Sequence, residues 1–203
     1  MAQLKTVALT CSLKASPEPS STDALTGQVL QGLEAHGVAT ELIRVADYNV
    51  LPGVETDMGT GDAWPKLRQK ILEADIFILA TPTWVGHMSS FAQRVIERLD
   101  AELSDGDDEG RLKTYGKVAL AVVVGNEDGA HKITADIFQA LGEVGFTIPA
   151  QGSVYWNGEA MHKTDYKDLK TTPEAVESTI KTLSLTASHL AGLLKADGYP
   201  SIK

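Results

Sequence analysis

Ala74-Asp75-Ile76-Phe77-Ile78-Leu79-Ala80 opens the stretch that decides the fold, and Thr81-Pro82-Thr83-Trp84-Val85-Gly86-His87-Met88 and then Ser89 to Leu99 complete it. The first piece is a short, nearly unbroken apolar run, the pattern of a strand buried on both faces of a parallel sheet. The last piece predicts a helix. Ser90 and Gln93 stand at capping-box spacing, and Phe91, Val95 and Leu99 recur at helical intervals. Between them lies a polar, aromatic, glycine-containing loop, where a parallel strand hands over to a helix. Ligands of open α/β sheets sit outside the carboxyl ends of the strands. This loop is the first candidate for a binding site.

The rest of the chain repeats that alternation. Lys5 to Cys11 and Lys117 to Val124 read as further buried strands. Thr40 to Val45 is mixed in polarity, which suits a position near an edge. Thr147 to Tyr155 predicts a last strand, with Pro149 and Gly152 favouring an edge or a bulge. Leu25, Val29 and Leu33 mark a helix from Thr22 to His36 that stops at Gly37. Asp62 can cap a helix with Pro65 in its first turn and Leu67 and Ile71 inward. Ile133, Ile137, Leu141 and Val144 mark another, ending at Gly145. Thr172-Pro173 starts the last, whose stripe from Val176 to Leu194 covers a sheet face and has a far end equally suited to a subunit contact. Five strands alternating with five helices predict a three-layer α/β sandwich with a parallel sheet. No repeat or linker interrupts it, so 1–203 reads as one domain. Flavodoxin-like and Rossmann strand orders both remain open on periodicity.

Composition narrows the function. A formal net charge of −9 with no basic cluster speaks against a nucleic-acid partner. The chain shows no bilayer-spanning run and no signal-peptide core, so the expectation is a cytoplasmic protein without a membrane partner. Cys11, the single cysteine, can form no intrachain disulfide and reads as a small buried hydrophobe. His131 and His162 lack ligand spacing, and the acidic loop from Ser104 to Gly110 does not match an EF-hand, so no metal site is expected.

The loops separate the two strand orders. The turn after the first strand carries neither Gly-x-Gly-x-x-Gly nor a P-loop. It reads Ser12-Leu13-Lys14-Ala15-Ser16-Pro17-Glu18-Pro19-Ser20-Ser21-Thr22. Hydroxyls and one ammonium before a helix N-terminus suit a terminal phosphate monoester. The plainer alternative is that Ser21 or Thr22 only caps the helix. Ser12-x-Lys14 with this serine-rich approach resembles the phosphate loop of the NADPH-dependent FMN reductase family. Thr81 to Ser89 resembles the flavin-ring loop of that family and of its quinone-reductase relatives, which share Thr-Pro-Thr, two variable positions, Gly, a polar residue and Met. Gly125-Asn126-Glu127-Asp128-Gly129 is a weaker match, and the chain departs from common family patterns at Trp84 and Val85.

The resemblance implies a flavodoxin-like five-stranded parallel sheet of order 2-1-3-4-5 and bound FMN. It gives Ser12, Lys14, Ser20, Ser21 and Thr22 to the flavin phosphate. It gives Pro82, Thr83, Trp84, Val85, Gly86 and His87 to the isoalloxazine, with Gly125, Asn126, Glu127 and Gly129 closing the other side. Trp84 has an alternative as an apolar plug over the sheet end. His87 is the one catalytic candidate: it can donate to a quinone oxygen, face the flavin, or simply bond the helix start. The implied activity is an FMN-dependent NAD(P)H oxidoreductase passing electrons to a quinone, flavin or similar small acceptor, in a homo-oligomer (dimer or tetramer). The alternative is a flavodoxin-type electron carrier without its own NAD(P)H activity. A phospho-acceptor domain needs acidic residues after the first strand and an aspartate ending the third, where Cys11-Ser12 and Thr81-Pro82 stand.

Overall fold

The computed structural model describes residues 3–159 and 162–203. Strands β1 (Lys5–Thr10), β2 (Ala39–Arg44), β3 (Ile76–Trp84), β5 (Val118–Val124) and β6 (Ser153–Trp156) form a parallel sheet in the order β2-β1-β3-β5-β6. The fifth and sixth labels follow from a two-residue strand, β4 (His87–Met88), that folds back antiparallel on the end of β3. With that hairpin set aside, the order is the flavodoxin-like 2-1-3-4-5. The strands with the most continuous apolar runs, β3 and β5, lie inside the sheet, and the mixed β2 lies at an edge.

Helices α1 (Ser21–Glu34) and α5 (Glu174–Ala196) cover one face. Leu25, Val29 and Leu33 of α1 pack there with Ile76, Ile78, Leu120 and Val122 of the sheet and Leu183 of α5. Helices α2 (Trp64–Glu73), α3 (Ser90–Leu99) and α4 (Ala130–Glu143) cover the other, against Leu9, Phe77, Leu79 and Val123. Alternate residues of one strand thus feed two separate cores, the period-2 geometry of a sheet buried on both sides.

Four local expectations are corrected. Thr81 to Met88 is not a free loop but mostly a hairpin, because β3 runs on past the sheet to Trp84. Ser89, not Ser90, caps α3, its Oγ accepting from the Ala92 N–H at 3.2 Å, while Gln93 reaches forward to Glu97. Thr172 does not cap α5; its hydroxyl accepts from the Gln28 amide, and Pro173 holds the cap position. The last strand begins only at Ser153, with Thr147 touching Val118 through an isolated bridge. Pro149 and the bend at Gly152 explain that break, since proline cannot donate to a ladder.

The irregular segment between the short 3-10 turn Val45–Asp47 and α2 is held by a buried ion pair. Arg98 and Asp62, both 0% exposed, meet at 2.8 Å. Arg98 also donates to the carbonyls of Leu51 and Glu55. Asp62 accepts from the backbone N–H groups of Leu51, Met58 and Trp64, the last of which starts α2. Burial alone would raise the Asp62 carboxyl, but these N–H groups and Arg98 outweigh it and pull its pKa down to about 2. A folded value below the unfolded one means stability that is fully present above about pH 4 and is lost as pH falls toward 2. The expected loss is about 2 kcal/mol, and Asp62→Asn should flatten that part of a denaturant-midpoint-against-pH curve.

Candidate functional site

The carboxyl ends of β1, β3, β5 and β6 meet around one cleft of about 400 Å³. Its first wall is the turn between β1 and α1. Ser20 sits in extended backbone and its Oγ accepts from the Asp23 N–H at 3.2 Å, so that hydroxyl is spent on capping α1. The N–H groups of Ser21 and Thr22 remain at the open end of the helix, where the dipole favours an anion. Arg44, 8% exposed, braces the turn from below. It donates to the Lys14 and Glu18 carbonyls and pairs with Asp23 at 2.5 Å. Ser16 donates both its N–H and its hydroxyl to Asp47, which keeps that carboxyl below the usual carboxylate range. The exposed Lys14 has no carboxylate partner among the described residues.

The second wall is the β3–β4 hairpin. Ser89 anchors it: its hydroxyl donates to the Cys11 carbonyl at 2.7 Å, and its N–H donates to Thr81 Oγ1 at 3.0 Å. Thr83, 4% exposed, lines the cleft with a buried Oγ1 that has no partner among the described residues. Trp84 lines it too but stands 52% exposed, so it does not plug the sheet end. The third wall is the loop after β5. A Cβ on Gly125 would lie 2.8 Å from Thr83 Cβ, which is why a glycine brings that strand end close to the hairpin. Asn126 donates to the His162 carbonyl at 3.1 Å.

Of the sequence-derived candidates, Ser12, Lys14, Ser20, Ser21 and Thr22 all border this cleft, as do Pro82, Thr83, Trp84, Gly125 and Asn126. Val85, Gly86, His87, Glu127 and Gly129 do not line it. They cluster at the hairpin tip instead, where the Val85 N–H donates to Glu127 Oε1 at 2.9 Å and His87 Nδ1 lies 2.7 Å from the Val85 carbonyl. A carbonyl only accepts, so Nδ1 carries the proton there. Cys11 is fully buried, and burial pushes its thiol up, which leaves it unreactive.

A fourth wall was invisible to motif reading. Trp156 ends β6 and meets Tyr166 edge to face at 5.4 Å between ring centres. The Tyr166 hydroxyl donates to Gln28 of α1 at 2.6 Å, and the Lys167 N–H donates to Ser21 Oγ at 3.3 Å. The Lys167 ammonium is paired with Asp165 and Asp168. Lone aromatic residues in a polar loop carry no spacing signal, and only the fold brings them to the phosphate turn.

The residues present fit a phosphorylated flavin. The cleft has one end with helix N–H groups and an ammonium, a middle with indole and proline surfaces, and a buried hydroxyl; the ammonium and the hydroxyl have no partner among the described residues. Its volume suits a ligand of that class. Among the described residues no group of three or more metal-ligating side chains occurs, and no helix is long and apolar enough to cross a membrane.

Comparison with known proteins agrees with the geometry. The 8-demethyl-8-aminoriboflavin-5'-phosphate synthase of Streptomyces davaonensis is 31% identical over 97% of this chain and 80% of its own length. The crystal structure of RosB with its bound intermediate 8-demethyl-8-formylriboflavin-5'-phosphate superposes with a TM-score of 0.88 at 30% identity, over 97% of this chain and 82% of that one. A Mycobacterium bovis protein named divalent metal cation transporter MntH is 34% identical over 95% of this chain, which spans only 29% of that protein's length. The apo NADH:FMN oxidoreductase EmoB shares the fold, with a TM-score of 0.61 at 19% identity over 93% of this chain and 89% of that one. The sequence model of the NADPH-dependent FMN reductase family matches residues 4–160, and the chain belongs to that family.

Proposed function

We propose that the chain is an FMN-dependent oxidoreductase that takes electrons from NAD(P)H and passes them to a small acceptor such as a quinone or a free flavin. The observation that carries this is the convergence of three sequence-distant turns on one cleft, with Lys14, Trp84 and Asn126 all on its walls. Lys14 and the N–H groups of Ser21 and Thr22 bind the phosphate. Pro82, Thr83, Trp84, Gly125 and Asn126 flank the ring, and Trp156 with Tyr166 shields the side toward β6. The bound flavin supplies the two-electron chemistry, so few catalytic side chains are required. His87 acts mainly by position, since its Nδ1 proton is committed to Val85; it donates from Nε2 only as the imidazolium. The same proposal includes a cytoplasmic homo-oligomer, for which the exposed Leu185 and Leu193 of α5 offer apolar surface.

The test begins with the visible spectrum of the purified protein and with the flavin released on denaturation. Anaerobic NADPH or NADH should then bleach the flavin at a catalytically useful rate. Re-oxidation by menadione, free FMN and a ferric chelate identifies the acceptor; the chelate is included because a relative bears the name of a divalent metal cation transporter. A colourless protein that takes up no added FMN removes the flavin site. Bound flavin that pyridine nucleotides do not bleach leaves an electron carrier.

The likeness to RosB favours a second reading, in which the phosphorylated flavin is itself the substrate. Mass spectrometry of the flavin after turnover distinguishes the two: an unchanged mass supports the cofactor role, and an altered ring supports the other.

A further inference from the structure

The other end of the sheet holds a second cavity, of about 470 Å³, that shares no residue with the flavin cleft. It lies at the amino ends of β3 and β5, bordered by Asp75 just before the one and Lys117 just before the other. Leu72 of α2, Leu112 and Leu194 of α5 supply aliphatic wall. Tyr115 and Tyr199 line it as well, their ring centres 5.5 Å apart.

Its charges balance except at one point. Arg111 pairs with Asp107 at 2.9 Å, and Lys113 shares Asp105 and Glu102 with Arg68. Asp75 is taken by the Lys195 ammonium and the Lys5 N–H, both at 2.8 Å. Lys117 is left over. Its Nζ donates to the Ala74 carbonyl at 2.9 Å, which uses one of three donors, and it has no ion-pair partner among the described residues. Burial pulls its pKa below the usual lysine range; Asp75 opposes this, and Lys195 adds to it. An ammonium half withdrawn from water without a counter-charge is costly, and an anion beside it offsets that cost. One uncompensated charge suits a monoanion, and leucine and tyrosine walls suit an apolar body. A strongly hydrated ion such as phosphate meets only the first condition.

We propose that this cavity binds a small carboxylate with an aryl or branched aliphatic body. Its carboxylate accepts from Lys117 Nζ, and its body lies against Leu72, Leu112 and Leu194. The probe is 4-phenylbutyrate, titrated into the purified protein by isothermal calorimetry. It should bind at one site with a Kd of about 1 mM or tighter. Acetate, which lacks the apolar body, and inorganic phosphate should bind at least about tenfold more weakly. Lys117→Met keeps the stem and removes the charge, and should weaken phenylbutyrate binding about tenfold. Leu112→Ala tests the wall without touching the charge, and should weaken binding about threefold. Binding should be equal with and without FMN, so failure of the flavin site leaves this result standing. Absence of phenylbutyrate binding to the wild type overturns the proposal. Equal binding of acetate or phosphate overturns it as an adventitious ion only, and displacement by FMN overturns it by placing the probe in the flavin cleft. Unchanged affinity in either variant overturns it too. If Lys117→Met does not fold, acetylation of the wild type by acetic anhydride, read by mass spectrometry, replaces it. Phenylbutyrate should then slow labelling of Lys117 and not of the exposed Lys132, and equal labelling overturns the proposal.

Discussion

Lys14→Gln should weaken FMN binding by about ten- to hundredfold while leaving riboflavin binding unchanged. A hydrogen bond to a charged group contributes about 1.5–3 kcal/mol, which converts to that range of affinity. Lys14 is suited to the task because Arg44 is already neutralised by Asp23, and Lys167 by Asp165 and Asp168. Lys14 is the cation on the phosphate turn with no such pairing among the described residues. Quenching of flavin fluorescence on binding gives both dissociation constants, and the difference between FMN and riboflavin isolates the phosphate. Added salt should narrow the gap between wild type and variant, since screening weakens what the ammonium supplies. Equal loss for both flavins would place Lys14 at the ring or in the fold, not at the phosphate.

The second large effect is on stability. Arg98→Met should cost about 3–5 kcal/mol, because it leaves the Asp62 carboxylate buried without its counter-charge. For a chain of this size that corresponds to a Tm lower by about 6–20 °C. Asp62 would keep its three backbone N–H donors, which is why the protein should still fold. Pairing Arg98→Met with Asp62→Asn should recover part of the loss, and a double-mutant cycle by thermal denaturation measures the coupling. FMN affinity below the transition should be unaffected, since neither residue borders the cleft. A loss under about 1 kcal/mol would mean that water reaches the pair and the segment from 48 to 63 is not fastened by it.

Much of the fold was legible because burial on two faces leaves a plain signature. The unbroken runs Ile76–Ala80 and Val118–Val124 could hardly be anything but inner strands, and both are fully buried. The turn after β1 was legible only in part: hydroxyls and a lysine before a helix start suit a phosphate and plain capping alike, and Ser20 does cap α1. The hairpin was not. Pro82 argues against a strand, and Val85 occupies a position where a turn of this kind normally announces itself with asparagine. Local rules failed there because Glu127 and Gly129 bear on the tip from the loop after β5. Trp156, Tyr166 and Lys167 escaped for a different reason: their meeting with Ser21 and Gln28 is long-range and has no spacing to read. The Asp62–Arg98 pair likewise joins residues with no periodic relation; Asp62 accepts from the first N–H of α2, but Ala63, not Asp62, holds the cap position the sequence suggested for it.

The hairpin grows directly out of β3, the central strand of the sheet, hydrogen-bonded to β1 on one side and β5 on the other. Backbone amides there open to solvent only when the whole sheet gives way. The tip at Val85 is therefore a short cantilever on the central strand, a few residues from its support. Glu127 fastens the tip from the loop after β5, so the tip is held from two sides, by its own strand and by its neighbour's loop.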